Sequence, residues 1–220
     1  MRFVPDGAEH IPSALSDSET ETLRRLADAH LQGRSGVRVS ASVALSPLLA
    51  TKDPIGGVAA KALGSAARPV RTLLFDKTTK NNWTVAWHQD RTIAVRERRD
   101  VPGFGPWSMK AGVVHVEPPY ALFQNMVTLR VHLDVCDAEN APLMIAPGSH
   151  KLGRIPATEA ATVAQKLGTH VCIADAGDIW LYAAGIIHAS ERAHRPRRRR
   201  VLQIDYANVD LPGGLAWQGI

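Results

Sequence analysis

From Val70 onward the chain breaks into short runs rich in β-branched and aromatic residues: RTLLF, WTVAWH, GVVHVE, TLRVHLDV, PLMIAP, HVCIAD, DIWLYAA and VLQIDYA. Turn-forming stretches separate them, including DKTTKNN, DAENAP, PGSHKLG, DAGD and RPRR. Many short strands after a helical start predict a mainly β fold, an antiparallel barrel or jelly roll with helices on its outside. The helical start has its own signals. Ser16 stands three residues before Glu19, the spacing of a capping box, and Leu23, Leu26, Ala27 and Leu31 then share one helical face before Gly33. A second, shorter helix is predicted in IGGVAAKALGSAA, weakened by its glycines. A chain of 220 residues that is 45% hydrophobic can bury one substantial core, so a single domain over 1–220 is expected, with a helical part at 1–69 and a β core at 70–207.

The balance of charge is +5, with a sequence pI near 9.5, which raises the question of a nucleic-acid partner. The excess is local. Six arginines lie in ERAHRPRRRR, and taking them from the 26 basic residues leaves 20 against 21 acidic ones. A phosphate-binding face spreads its cations and interleaves aromatics for single strands, so nucleic acid is not an expected partner. The first residues, MRFVPDGAEH, lack the apolar run of a signal peptide, and nothing later approaches the roughly 18 apolar residues of a membrane span. Cys136 and Cys172 lack CxxC spacing and are too few for a disulfide framework. The expectation is a protein of the cytoplasm with no membrane partner; the sequence specifies no oligomeric state.

Within WTVAWH and the residues after it, His88, Gln89 and Asp90 interrupt an apolar run with three polar side chains. On a strand, residues i and i+2 share a face, so His88 and Asp90 project together and Gln89 points away. An isolated HxD is more often a hydrogen-bonded pair than a metal site. A third donor changes the balance, and His188, ending the apolar run of GDIWLYAAGIIH, is the candidate. Two histidines and one carboxylate on one face of a metal leave its other positions open, the arrangement of non-haem Fe(II) oxygenases. Such an iron takes electrons from 2-oxoglutarate, whose far carboxylate needs a fixed cation, and arginine grips a carboxylate with two hydrogen bonds. Arg199, eleven residues after His188, and Ser190, two after it, are suitably spaced. Arg195, Arg197 and Arg198 read as a solvated basic turn. His10 and His30 fall in the helical region.

The ordered set WHQD, NAPLMIAPGSH, GDIWLYAAGIIHAS and RRVLQIDYA resembles the phytanoyl-CoA dioxygenase family of Fe(II)/2-oxoglutarate oxygenases, over residues 70 to 207. The resemblance implies a double-stranded β-helix, or cupin-like jelly roll, with His88, Asp90 and His188 as iron ligands. It also implies Arg199 on the far carboxylate of 2-oxoglutarate, with Ser190 beside it, and O2 as the other co-substrate. Two departures stand out. The family's Asn-Gly-Pro-Leu turn reads Asn140-Ala141-Pro142-Leu143 here. Halogenating relatives replace the carboxylate ligand by a small residue, whereas Asp90 is present, which favours hydroxylation or a related oxidation.

Residues 96–120, rich in Pro and Gly, are expected to form a lid over the metal strand. Trp107, Lys110 and His115 in that segment, with Asn82 and Trp83 before the HxD, are candidates for a small-molecule substrate pocket; a packed surface loop or a strand end explains each equally. Trp87 is expected in the core. Fold alone does not name a substrate. Two other classes compete with the oxygenase: a cupin-like metal enzyme that uses no 2-oxoglutarate, which has no need of an inward Arg199, and a catalytically silent binding relative, which has no need of the full triad.

Overall fold

The computed structural model describes residues 1–40 and 42–220. Its helices are α1 (Phe3–Asp6), α2 (Asp17–Leu31), α3 (Pro54–Leu63) and α4 (Ala160–Leu167). Its strands begin with β1 (Ala8–Ile11), β2 (Gly36–Arg38), β3 (Arg68–Lys77), β4 (Val85–His88) and β5 (Ile93–Val95). They continue with β6 (Trp107–Lys110), β7 (Val113–Val116), β8 (Met126–His132) and β9 (Leu143–Ile145). The last are β10 (His170–Cys172), β11 (Ile179–Ala183), β12 (His188–Ser190) and β13 (Arg199–Ala207).

Two antiparallel sheets face each other. The larger has the order β1-β11-β8-β13-β3-β2 and the smaller β10-β9-β12-β4. Between them pack Leu143, Ile145 and Cys172 from the small sheet and Ala8, Trp180 and Tyr182 from the large one. This is a double-stranded β-helix, the jelly roll that the strand run predicts and the resemblance implies. All eight β-rich runs of the sequence carry strands.

The outer face of the large sheet presents Leu74, Val127, Leu129, Val131, Leu202 and Ile204 to the helices. α2 answers with Leu23, Leu26, Ala27 and Leu31, and α3 with Ile55, Val58 and Ala59. The capping box of α2 is formed on both sides: Glu19 N–H donates to Ser16 Oγ, and Ser16 N–H to Glu19 Oε2 at 2.8 Å. Trp87, expected in the core, is half-buried and packs against the cluster of Ala160, Ala164 and Ile187 beneath α4.

Two expectations need correcting. The N-terminal third is not purely helical, because β1 and β2 form the two edges of the large sheet. His10 accordingly lies on β1, stacked on Trp180 and bonded to Asp178 at 2.8 Å. Residues 96–120 have regular structure of their own: β6 and β7 form a hairpin turned by Ala111 and Gly112, at φ +48° and +76°, and β5 completes a third sheet. Ile93, Val95 and Val116 of that sheet pack against Val70, Phe123, Leu215 and Trp217. The arginine cluster, by contrast, stays solvated as expected, with the side chains of Arg195, Arg197 and Arg198 77%, 52% and 45% exposed, and it adds ion pairs to that exposure. Arg197 pairs with Asp137, Arg198 with Asp28 and Asp76, Arg195 with Glu139, and Arg200 with Asp134 and Asp28.

Candidate active site

The smaller sheet places His88 and His188 directly opposite each other on β4 and β12, with ring centroids 4.3 Å apart. A register shift follows at once, since Ser190 pairs with Val85, and such bulges sharpen the local twist. Asp90 lies two residues beyond His88, its Oδ1 3.8 Å from His88 Nε2. One donor atom from each of His88, Asp90 and His188 falls within 4.8 Å of the other two.

Both rings are held the same way. His88 Nδ1 lies 2.8 Å from the carbonyl of Ala86, and His188 Nδ1 3.1 Å from that of Ile186. Each Nδ1–H donating backwards leaves Nε2 as a free lone pair facing the carboxylate, the outer-shell support that metal-ligating imidazoles use. Burial lowers the pKa of His188, opposed by Asp90, so its ring stays neutral. Burial pushes Asp90 upward, but His188, Arg71, His88 and Lys110 together outweigh it and hold the carboxyl below its ordinary value. A neutral imidazole and an ionised carboxylate are the states that bind a cation.

Gln89 does face away from this cluster, and it is buried. Its Nε2 donates to the carbonyls of Gly185 (2.7 Å) and Gly153 (3.1 Å) and to Tyr120 Oη (3.0 Å), while Oε1 accepts from Ile155 N–H at 2.9 Å. The amide pins the exit of β4, so its neighbours on either side have one way to face. Ser149 of the PGSH turn accepts Ile187 N–H at 2.8 Å and does the same for β12.

A cavity of about 180 Å³ opens beside the cluster. Alternate residues of β3, namely Arg71, Leu73, Phe75 and Lys77, line one wall, facing His88, Leu143, His188 and Ser190 of the small sheet. Arg199 lines it too, buried to 2% exposure and paired across the sheet with Lys77. Its Nη1 reaches only Cys136 Sγ at 3.8 Å, and its Nε has no partner. Lys77, also 2% exposed, donates to Ser190 Oγ (3.1 Å) and the Glu191 carbonyl (2.8 Å) and lies 5.0 Å from the centre of the Trp83 ring. Burial, then Arg199 and Arg130, drive its pKa down to about 7. Arg130, a third lining cation, donates to Gln203 Oε1 at 3.0 Å. Among the described residues none of these three cations has an acidic partner. Uncompensated buried charge is expensive, so this end of the cavity is built for an anion.

At the opposite end Arg71 is compensated. Its Nε meets Asp205 Oδ2 at 2.5 Å and its Nη2 lies 3.7 Å from Asp90, while Thr128 holds the other oxygen of Asp205 at 2.9 Å. Burial opposes the charge of Arg71, and Asp205 more than offsets it, so its pKa is raised.

The structure thus brings His88, Asp90, His188, Ser190, Arg199 and Trp83 to one cavity. Asn82 does not line it; its amide clamps Ala193 from both sides, at 2.8 and 3.0 Å. Trp107 packs in the third sheet beneath Arg98, and Lys110 and His115 belong to that sheet too. Lys77, Arg71 and Arg130 escaped the reading of the sequence. The signal for two of them was present in RTLLFDK, where polar residues stand at both ends of one alternating face. Ala141, where the resemblance leads one to expect glycine, sits at φ +55°, the left-handed region that explains the family's residue; the turn keeps its form, and Ala141 O accepts from Ser190 Oγ at 3.3 Å.

The same architecture recurs in solved structures. The 2-oxoglutarate-dependent epimerase SnoN from nogalamycin biosynthesis is 21% identical, with a TM-score of 0.67 over 97% of this chain and 86% of its own. The carbocyclase SnoK of the same biosynthesis is 17% identical, with a TM-score of 0.68 over 99% and 85%. HygX from Streptomyces hygroscopicus, solved with nickel and 2-oxoglutarate bound, is 18% identical, with a TM-score of 0.64 over 93% and 83%. At these identities the likeness is one of fold. No curated protein matches the chain. The family model for phytanoyl-CoA dioxygenase (PhyH) matches residues 3–201, nearly the whole β-helix and both strands that carry the clustered histidines, and the chain belongs to that family.

Proposed function

We propose that the protein is an Fe(II)- and 2-oxoglutarate-dependent oxygenase that hydroxylates or otherwise oxidises a small molecule. The observation that carries this reading is the juxtaposition of the His88, Asp90 and His188 donors with the buried, acid-free pair of Arg199 and Lys77 in one cavity. The donor set fits iron: two imidazole Nε2 atoms and one carboxylate occupy one side and leave the other open. The cation pair, with its unpartnered Arg199 Nε, fits the far carboxylate of a 2-oxo acid.

In this reading His88, Asp90 and His188 hold the metal, and the Ala86 and Ile186 carbonyls keep both rings in the correct tautomer. Arg199, Lys77 and Ser190 hold the co-substrate's far end, while Leu73, Phe75 and Leu143 keep water from its methylenes. When bound, iron and 2-oxoglutarate reduce O2 with two electrons from decarboxylation and two from a substrate C–H bond, leaving one oxygen in succinate and the other in the product, with release of CO2. Among the described residues no helix is long and apolar enough to cross a membrane, and the free, buried Cys136 and Cys172 suit the reducing cytoplasm.

The test is substrate-independent succinate formation. Incubated in air with Fe(II) and 2-oxoglutarate, the protein is expected to release succinate slowly; Asp90→Ala is expected to abolish this, and Arg199→Ala to raise the 2-oxoglutarate it needs by at least about tenfold. Metal binding without any 2-oxoglutarate turnover in the wild type would return the protein to the cupin-like alternative.

A further inference from the structure

We propose that the prime substrate carries an oxyanion, a carboxylate or a phosphate, received by Arg38 and Lys110 at the end of the site remote from Arg199; this rests on the oxygenase reading above. The cavity has a direction. β3 runs along it from Lys77 to Arg71, six residues or roughly 20 Å at 3.3 Å per residue. The far carboxylate of 2-oxoglutarate belongs at the Lys77 end, and Asp90 meets Arg71 at the other. Substrate must therefore enter on the Arg71 side.

That side has its own free cations. Arg38 pairs with Leu73 across β2 and β3, so the two side chains leave the sheet on the same face, the one that lines the cavity. The Nη2 of Arg38 donates to His115 Nε2 at 2.7 Å, and His115 Nδ1 lies 2.9 Å from the Val113 carbonyl. This fixes His115 as a neutral acceptor, aims the guanidinium, and uses one of its five N–H groups. Lys110, five residues before His115 on the same hairpin, donates only to Thr92 Oγ1 at 3.3 Å, and Thr92 stands two residues beyond Asp90.

Neither cation pairs with an acid among the described residues. The acids at hand are committed elsewhere, Asp205 to Arg71 and Thr128, and Asp90 to the metal cluster. An unpaired lysine on a surface is ordinary. An arginine that is half-buried, beside the like charge of Arg71, and held by an imidazole instead of a carboxylate is not, because Asp205, already committed to Arg71, offsets its desolvation only in part. A substrate oxyanion supplies the missing partner, with the third sheet carrying Lys110 and His115 to it.

The experiment uses the full chain loaded with Ni(II) and saturating 2-oxoglutarate, so that the first anion seat is filled. Phenyl phosphate, benzoate and neutral benzamide are titrated separately by calorimetry. At least one of the two anions is expected to bind and benzamide not to; the tighter anion identifies the substrate's group. Arg38→Gln and Lys110→Met are each expected to weaken that anion by at least about tenfold while leaving 2-oxoglutarate affinity within about twofold. Failure of both anions to bind, equal binding of benzamide, or unchanged affinity in Arg38→Gln overturns the inference. If the protein takes up no 2-oxoglutarate at all, the oxygenase reading falls first, and the same anion titrations on the unloaded chain still decide the role of Arg38.

Discussion

Two buried arginines show how much a partner matters. Arg71 has Asp205 on β13 and Arg199 has no acid, although the same strand carries both Asp205 and Arg199. Removing the acid from a buried pair leaves a stranded charge, so Asp205→Asn is expected to lower the unfolding free energy in urea by about 3 kcal/mol. Asp210→Asn, which removes the partner of the exposed Arg68, should change it by less than about 1 kcal/mol. Lys77 yields a prediction in pH. Its folded pKa, about 7, lies below its ordinary 10.5. Below pH 7 folded and unfolded chains both hold the proton and the buried charge weighs in full; above it only the unfolded chain does, so stability is expected to rise from pH 7 towards 10. Binding of 2-oxoglutarate should move the opposite way, weakening above pH 7 with proton uptake that is visible by calorimetry in buffers of different ionisation heat. Lys77→Met should flatten both profiles. At this scale the sequence was most legible where spacing is local. HxD gives a shared face by strand alternation alone, whereas the amide network of Gln89 and the clamp of Asn82 on Ala193 join residues 31 to 111 positions apart. No periodicity carries that information.

Elements were legible in proportion to their length and their apolar content. The eight β-rich runs all became strands, and the capping box located α2 to the residue. β2, β5 and β12 have three residues each and fall outside the eight β-rich runs, whereas the equally short β9 and β10 lie inside PLMIAP and HVCIAD; β12 pairs with β4, about a hundred residues away. β7 was legible in GVVHVE, but its hairpin partner β6 read as loop because prolines and glycines cluster before it and it is only four residues long. Gln89 is the element-scale device that matters most here. Gln89→Ala strands the Ile155 N–H and frees the end of β4, and is expected to weaken Ni(II) binding by at least about tenfold, although the residue touches no metal. The shift should appear in a Ni(II) titration, with the far-ultraviolet circular dichroism unchanged. Unaltered Ni(II) affinity would mean that β4 holds its course without the amide.

At the scale of the whole molecule, the two sheets divide the labour. The large sheet is insulated on one face by α2 and α3, and on the other supplies every cation of the cavity from β3, β8 and β13. The small sheet supplies the clustered donors His88 and His188 from β4 and β12, with Asp90 just past the end of β4. Neither sheet alone makes a site, and the 2-oxo acid is expected to bridge them. The most direct test is an anaerobic titration with Fe(II) and 2-oxoglutarate, followed by the visible charge-transfer band that arises when the keto acid chelates iron. The band is expected to saturate at about one iron per chain. It should be lost in His188→Ala and require at least about tenfold more 2-oxoglutarate in Arg199→Ala, since one charge-assisted contact contributes about 1.5 to 3 kcal/mol. A wild-type protein that binds Fe(II) but gives no band at saturating 2-oxoglutarate, or a band of full strength in His188→Ala, would contradict the assignment.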